Sequence, residues 1–124
     1  MNEPWFEEWV KKAEEDYLAA SALDPGSTPG AICFHSQQCV EKYLKACLVK
    51  HGLPTRKVHN LIVLNSLVAE QDERFERLYD YLTILNPYSV IPRYPGFETT
   101  PDDAEHAVKI ASTLRNKIRD LLEL

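Results

Sequence analysis

Gln38, Glu41, Lys42 and Lys45 recur at steps of three and four, the spacing that stands side chains over one another on one face of an α-helix. Together with Arg93 and Arg56 they form a set suited to anion recognition. An arginine fork grips a phosphate bidentately, a lysine supplies a compact charge, and Tyr94 beside Arg93 offers a face on which a nucleobase stacks. Gln38 would orient the ligand through its amide. His59 brings an imidazole able to donate or accept a hydrogen bond, but its place in His59-Asn60-Leu61 reads first as a helix cap or hydrogen-bonded structural residue. Plainer readings stand beside these. The row His35, Gln37, Gln38, Glu41, Lys42, Lys45 has the pattern of an ordinary solvated face, which pattern alone favours over a site wall. Arg93 could equally pair with Glu41 or another acid and pin its loop to the rest of the chain.

Those residues must be held by a chain of 124 residues, enough for one domain with a real core and too short for two. The content of 44% hydrophobic and 27% charged residues is that of a soluble globular protein. No apolar run approaches the roughly 18 residues of a membrane span. Met1-Asn2-Glu3-Pro4-Trp5 lacks the basic start and apolar middle of a signal peptide. A cytoplasmic location is therefore the expectation. The net charge of -5 argues against a general nucleic-acid binder. The charge is uneven, however: Glu3, Glu7, Glu8, Glu14, Glu15 and Asp16 crowd the first helix, while Lys42, Lys45, Lys50, Arg56, Lys57 and Arg93 form a basic subset. A local anion site fits that asymmetry. Cys33, Cys39 and Cys47 lie six and eight residues apart on one helix, too far to bridge, and no zinc-type spacing occurs. They read as reduced core residues, and neither a metal nor another cofactor is expected.

The periodicity places five helices. Asn2 is a candidate N-cap for a helix of about 20 residues whose Trp5, Phe6, Trp9, Val10, Ala13, Tyr17, Ala20 and Leu23 recur at three and four; Trp5 and Trp9 are expected in the core. The prolines and glycines of residues 24–30 end it. A second helix runs from near Pro29 to His51, with Ile32, Ser36, Cys39, Val40, Tyr43, Ala46 and Cys47 on its core arc, and stops at Gly52. A third begins at His59 or Asn60, and a fourth follows Asp72 with the stripe Phe75, Leu78, Leu82, Leu85. Residues 86–100 form a long Pro- and Tyr-rich connection, more often functional or a packed Ω-loop than idle. Thr100-Pro101-Asp102-Asp103 then opens a last helix with an N-cap, an N1 proline and first-turn acids. The expected fold is an all-α, up-down bundle of four long helices plus a short one.

Three segments in order, Phe34-x-x-Gln37-Gln38-x-x-Glu41-Lys42-x-Leu44-Lys45-Ala46, His59-Asn60-Leu61 and Arg93-Tyr94-Pro95, resemble the HEPN domain family of small prokaryotic helical bundles. The resemblance spans about residues 5 to 122 and implies a single HEPN-like domain over 1–124. It implies a protein that usually dimerises and is often encoded beside a minimal nucleotidyltransferase in a toxin-antitoxin-type system. Many members are metal-independent RNases using an Arg-x(4-6)-His motif at the dimer cleft; others are thought to bind nucleotides without cleaving them.

Here the positions five to seven after Arg56, Arg74, Arg77, Arg93, Arg115 and Arg119 hold no histidine. The leading expectation is therefore a non-hydrolytic module that binds a nucleotide or RNA-like anion through Arg93, Tyr94, Gln38, Lys42, Lys45, Glu41, His59 and Arg56. It would act with a nucleotidyltransferase partner, with no residue assigned to catalysis. The alternatives are an RNase with a divergent site around His59, Arg56 and Arg93, and a pure dimerisation or docking module.

Overall fold

The computed structural model describes residues 5–124, so the Asn2 cap lies outside the described residues. These are all-helical, without strands: α1 (Phe6–Ala22), α2 (Pro29–Lys50), α3 (Leu61–Ala69), α4 (Tyr79–Leu85) and α5 (Pro101–Leu121). The helix after Asp72 is split, residues 73–78 winding as a 3-10 turn before α4 takes over. Two further 3-10 turns, Asn86–Ser89 and Ile91–Arg93, order the connection to α5. None of the helices is long and apolar enough to cross a membrane.

The chain is built around α2, which packs against α1, α3, α5 and both 3-10 turns of the connection. Fourteen of its 22 residues are buried, so it behaves as a central helix covered on nearly all sides rather than as an amphipathic surface helix. Its core arc is as expected: Ile32, Cys39, Val40, Tyr43, Ala46 and Cys47 all lie in the interior. Around it close Ala13 and Ala20 of α1, Leu61, Leu64 and Val68 of α3, Phe75, Leu78, Leu82 and Leu85, and Ala104, Ala107, Ala111, Leu114 and Ile118 of α5.

Local signals set the ends. Gly52 takes φ 71° after α2, the left-handed stop that glycine tolerates best. The Asn60 side chain accepts hydrogen bonds from the amides of Ile62 and Val63 and so caps α3; His59 does not cap. Thr100 and Asp103 form a reciprocal capping box at the start of α5. The long connection is tied down from within. Asn86 Oδ1 accepts the Leu61 amide at 2.8 Å, Tyr88 packs against the core, and a Cβ on Gly30 would come within 3.3 Å of Thr99 Oγ1 and 3.4 Å of Pro92 Cβ. Glycine at position 30 thus lets the connection lie directly on the first turn of α2.

Two expectations are corrected. Trp5 is not core but 58% exposed, because it precedes α1 and no element among the described residues covers it; Trp9 is half-buried. The polar row of α2 is not a solvated face. Gln37, Glu41 and Lys45 are buried and His35, Gln38 and Lys42 half-buried, because α1 and the 51–60 connection lie over them.

Candidate functional site

Glu41 is the centre of the buried row. Its Oε1 accepts from the amide nitrogens of Gln37 (3.4 Å) and Gln38 (3.3 Å), and its Oε2 from Lys45 Nζ and His59 Nδ1, each at 3.2 Å. Gln37 also donates to the His59 carbonyl at 3.1 Å and accepts from Gln38 at 2.8 Å. Trp9 covers Lys45, whose Nζ lies 5.4 Å from the ring centroid. Each polar group has a partner, as burial demands, and the cluster locks the connection before α3 onto α2.

A second cluster joins α1 to α2. Asp16 takes Lys42 Nζ on one carboxylate oxygen at 2.5 Å and His35 Nδ1 on the other at 2.7 Å. Two residues earlier on α1, Glu14 receives two hydrogen bonds from Arg115, at 2.6 and 2.7 Å, and the Tyr43 hydroxyl at 2.5 Å, while Arg119 donates to that hydroxyl at 3.0 Å. The Arg115 guanidinium holds the Glu14 carboxyl below its ordinary value of 4.5 despite the opposing effect of burial. A carboxylate whose pKa is lowered by folding stabilises the native state above its unfolded value and loses that contribution as pH falls through the folded one. The urea midpoint is therefore expected to fall as pH drops below about 4.5, with a shallower fall in Arg115→Met; identical slopes would show that this pair does not set acid stability.

The predicted cations thus divide. Lys42 and Lys45 are each in contact with a carboxylate, whereas Arg56 and Arg93 are exposed and make no ion pair among the described residues. Arg56 stands apart in the 51–60 connection at φ 37°, a left-handed conformation uncommon outside glycine. Arg93 does not pair with Glu41. Its guanidinium lies over the Phe34 ring, 4.8 Å from the centroid, where the 3-10 turn Ile91–Arg93 abuts α2. There Gly30, Ala31, Phe34, His35, Pro92 and Arg93 line a cleft of about 260 Å³. Thr28 supplies no side-chain cap to α2, whose first turn lines the same cleft through Gly30 and Ala31. Tyr94 follows on the outer side of the connection, 55% exposed.

Arg93 and Tyr94 therefore lie at one end of the α2 polar row, with Gln38, Glu41, Lys45 and His59 knitted together further along it. No hydrogen bond or ion pair joins Arg93 to His59 or Arg56. Sequence reasoning passed over Phe34, His35 and Asp16 as site residues. For Asp16 a signal existed: it stands three residues after Ala13 and four before Ala20, on the inner face of α1. No group of three or more His, Cys, Asp or Glu residues able to hold a metal occurs among the described residues.

With this geometry in view the likenesses to known proteins are informative. A Methanocaldococcus jannaschii protein named "Putative toxin MJ1304" is 30% identical over 131 residues, an alignment covering 93% of this chain and 86% of that protein. The crystal structure of TT1696 from Thermus thermophilus superimposes with a TM-score of 0.80 at 21% identity, covering 97% of this chain and 98% of that one, and so shares the fold. ST0689, described as an archaeal HEPN homologue, gives a TM-score of 0.72 at 25% identity over 94% of this chain and 96% of its own. The family model described as the HEPN domain matches residues 6–121, and with that match spanning the whole bundle, the α2 row and the Arg93 turn, the chain belongs to the HEPN domain family.

Proposed function

We propose that this chain is the helical component of a toxin-antitoxin-type pair, binding a nucleotide or RNA-like anion without cleaving it and acting with a minimal nucleotidyltransferase. The observation that carries the binding reading is Arg93: an arginine fork with no carboxylate partner among the described residues, braced on Phe34 at the mouth of a cleft whose other lining is apolar or able to donate hydrogen bonds. An unpaired, pre-positioned guanidinium binds phosphate at little conformational cost. Tyr94 lies on the open side, where a base can stack. Lys42 contributes through Asp16, and Gln38, Glu41, Lys45 and His59 hold the α2 face on which the cleft is built, with Arg56 as an outlying charge. The name of the M. jannaschii relative, "Putative toxin MJ1304", is in keeping with the pairing, and family membership with a homodimer. The missing Arg-x(4-6)-His motif favours binding over cleavage.

The test is an amide NMR titration with ATP, AMP and a short RNA on the wild type and on Arg93→Ala. Saturable shifts at Gly30, Phe34, His35 and Arg93 are expected, with affinity about ten- to a hundredfold lower in the variant, the worth of a charge-assisted hydrogen-bonded pair. Affinity unchanged in Arg93→Ala would remove the site.

A further inference from the structure

Arg93 alone would hold any phosphate, yet the same cleft also presents His35, which the binding reading leaves unused. We propose that the cleft selects a terminal phosphate monoester over an internal phosphodiester, with His35 Nε2 meeting the third oxygen that only a monoester leaves free. This rests on the reading that Arg93 binds an anion there.

The His35 ring lines the cleft beside Arg93, and its Nδ1 lies 2.7 Å from Asp16 Oδ1. An ionised carboxylate only accepts, so Nδ1 carries a hydrogen and Nε2 is the free nitrogen; it has no partner among the described residues. The charged groups around the ring are few. Asp16 reaches it from α1, but Lys42 Nζ already sits 2.5 Å from the other Asp16 oxygen. That lysine balances the carboxylate, so the pair sets no net negative charge beside the ring. Arg93, from the connection, is the cation on the cleft's other side. A monoester, which carries about -1.5 to -2 at neutral pH and so keeps part of a proton on its terminal oxygens, can share that proton with Nε2; a diester, with a single charge on two free oxygens, has none to share.

Size and shape point the same way. About 260 Å³ falls below the roughly 300–1,000 Å³ that encloses a whole small-molecule ligand, so the cleft takes a head group and leaves sugar and base outside. Its walls meet at one end, where Gly30 lies against Pro92 and Thr99. The face of Phe34 is already covered by Arg93, which leaves Tyr94 as the exposed ring for the base.

The deciding experiment compares AMP with its methyl phosphodiester by calorimetry at pH 6.5, on the wild type, Arg93→Ala and His35→Asn; 5'- and 3'-AMP, and a tetranucleotide with and without a 5'-phosphate, distinguish which end is read. Asparagine places an amide donor where Nδ1 was and so keeps the Asp16 bond while removing Nε2. The wild type is expected to bind the monoester about tenfold more tightly than the diester, one charge-assisted hydrogen bond's worth. His35→Asn should bring the two within about twofold, and Arg93→Ala should weaken both. Equal wild-type affinities would overturn the inference and leave the anion site standing. A preference that survives in His35→Asn would overturn the role of His35, and no binding of any probe would end both readings.

Discussion

Replacing Glu41 with alanine is expected to cost about 3–5 kcal/mol of unfolding free energy, the penalty for breaking one side of a buried ion pair. The variant strands a lysine whose side chain is only 7% exposed and removes one hydrogen bond each from Gln37, Gln38 and His59. Since a domain of this size carries about 5–15 kcal/mol in total, the variant should be marginal at 25 °C. Glu41→Gln should fall between, because its carbonyl still accepts hydrogen bonds but no longer neutralises Lys45. The double variant Glu41→Leu/Lys45→Met should recover much of the loss, since an apolar pair of similar volume removes both charges together. The comparison separates the charge from the packing. Urea unfolding followed by circular dichroism at pH 7 reads all four proteins; a Glu41→Ala midpoint equal to wild type would mean that the network is not what secures α2 to the 51–60 connection.

That network also marks where reading the sequence stops. The helix ends were legible because each is decided by neighbours in the chain: Asn60 caps α3, Thr100 and Asp103 cap α5, and Gly52 stops α2. The apolar stripe of α5 was legible because one side of that helix faces solvent. On α2 the same logic misleads. A helix covered on nearly all sides has no solvent face for polar residues to mark, so Gln37, Glu41 and Lys45 read as surface while lying inside. Gln37, Gln38 and Lys45 meet Glu41 at local spacing, but what covers the row comes from afar: His59, 18 residues beyond Glu41, and, for Lys42, Asp16, 26 residues earlier. No local spacing encodes such pairs. The even balance drawn for Arg93 between an acidic partner and a ligand had the same origin, since its neighbour, Phe34, lies 59 positions earlier in the chain. Only the expectation that residues 86–100 form an ordered, packed connection could be drawn from the chain itself, from prolines that limit its freedom.

Native-state thiol labelling provides the second large effect. Cys33, Cys39 and Cys47 have no measurable exposure, and burial pushes all three thiols up, Cys33 to about 11 and the other two further. Reaction needs both access and a thiolate, so at pH 8 each should be alkylated at least about a thousandfold more slowly than in the urea-unfolded chain, given unfolding free energies of about 5 kcal/mol or more. The three should not be equal. Cys33 sits in the first turns of α2 beneath Tyr88 of the long connection, so lifting that connection alone exposes it, whereas Cys39 and Cys47 await disruption of the core. Labelling followed by mass spectrometry should therefore find Cys33 first. In Glu41→Ala, Cys39 and Cys47 should react about a hundred- to several-thousandfold faster than in the wild type, the same 3–5 kcal/mol expressed as population of the open state, while Cys33 accelerates less because its route does not break the Glu41 cluster. Equal acceleration at all three would mean that the connection carrying Arg93 opens only with the whole domain. Fast labelling of Cys39 or Cys47 in the native wild type would contradict the core itself. Either result bears on the cleft, because a connection that lifts independently of the core takes Arg93 away from Phe34 and His35, and ligand bound there should then slow the labelling of Cys33 alone.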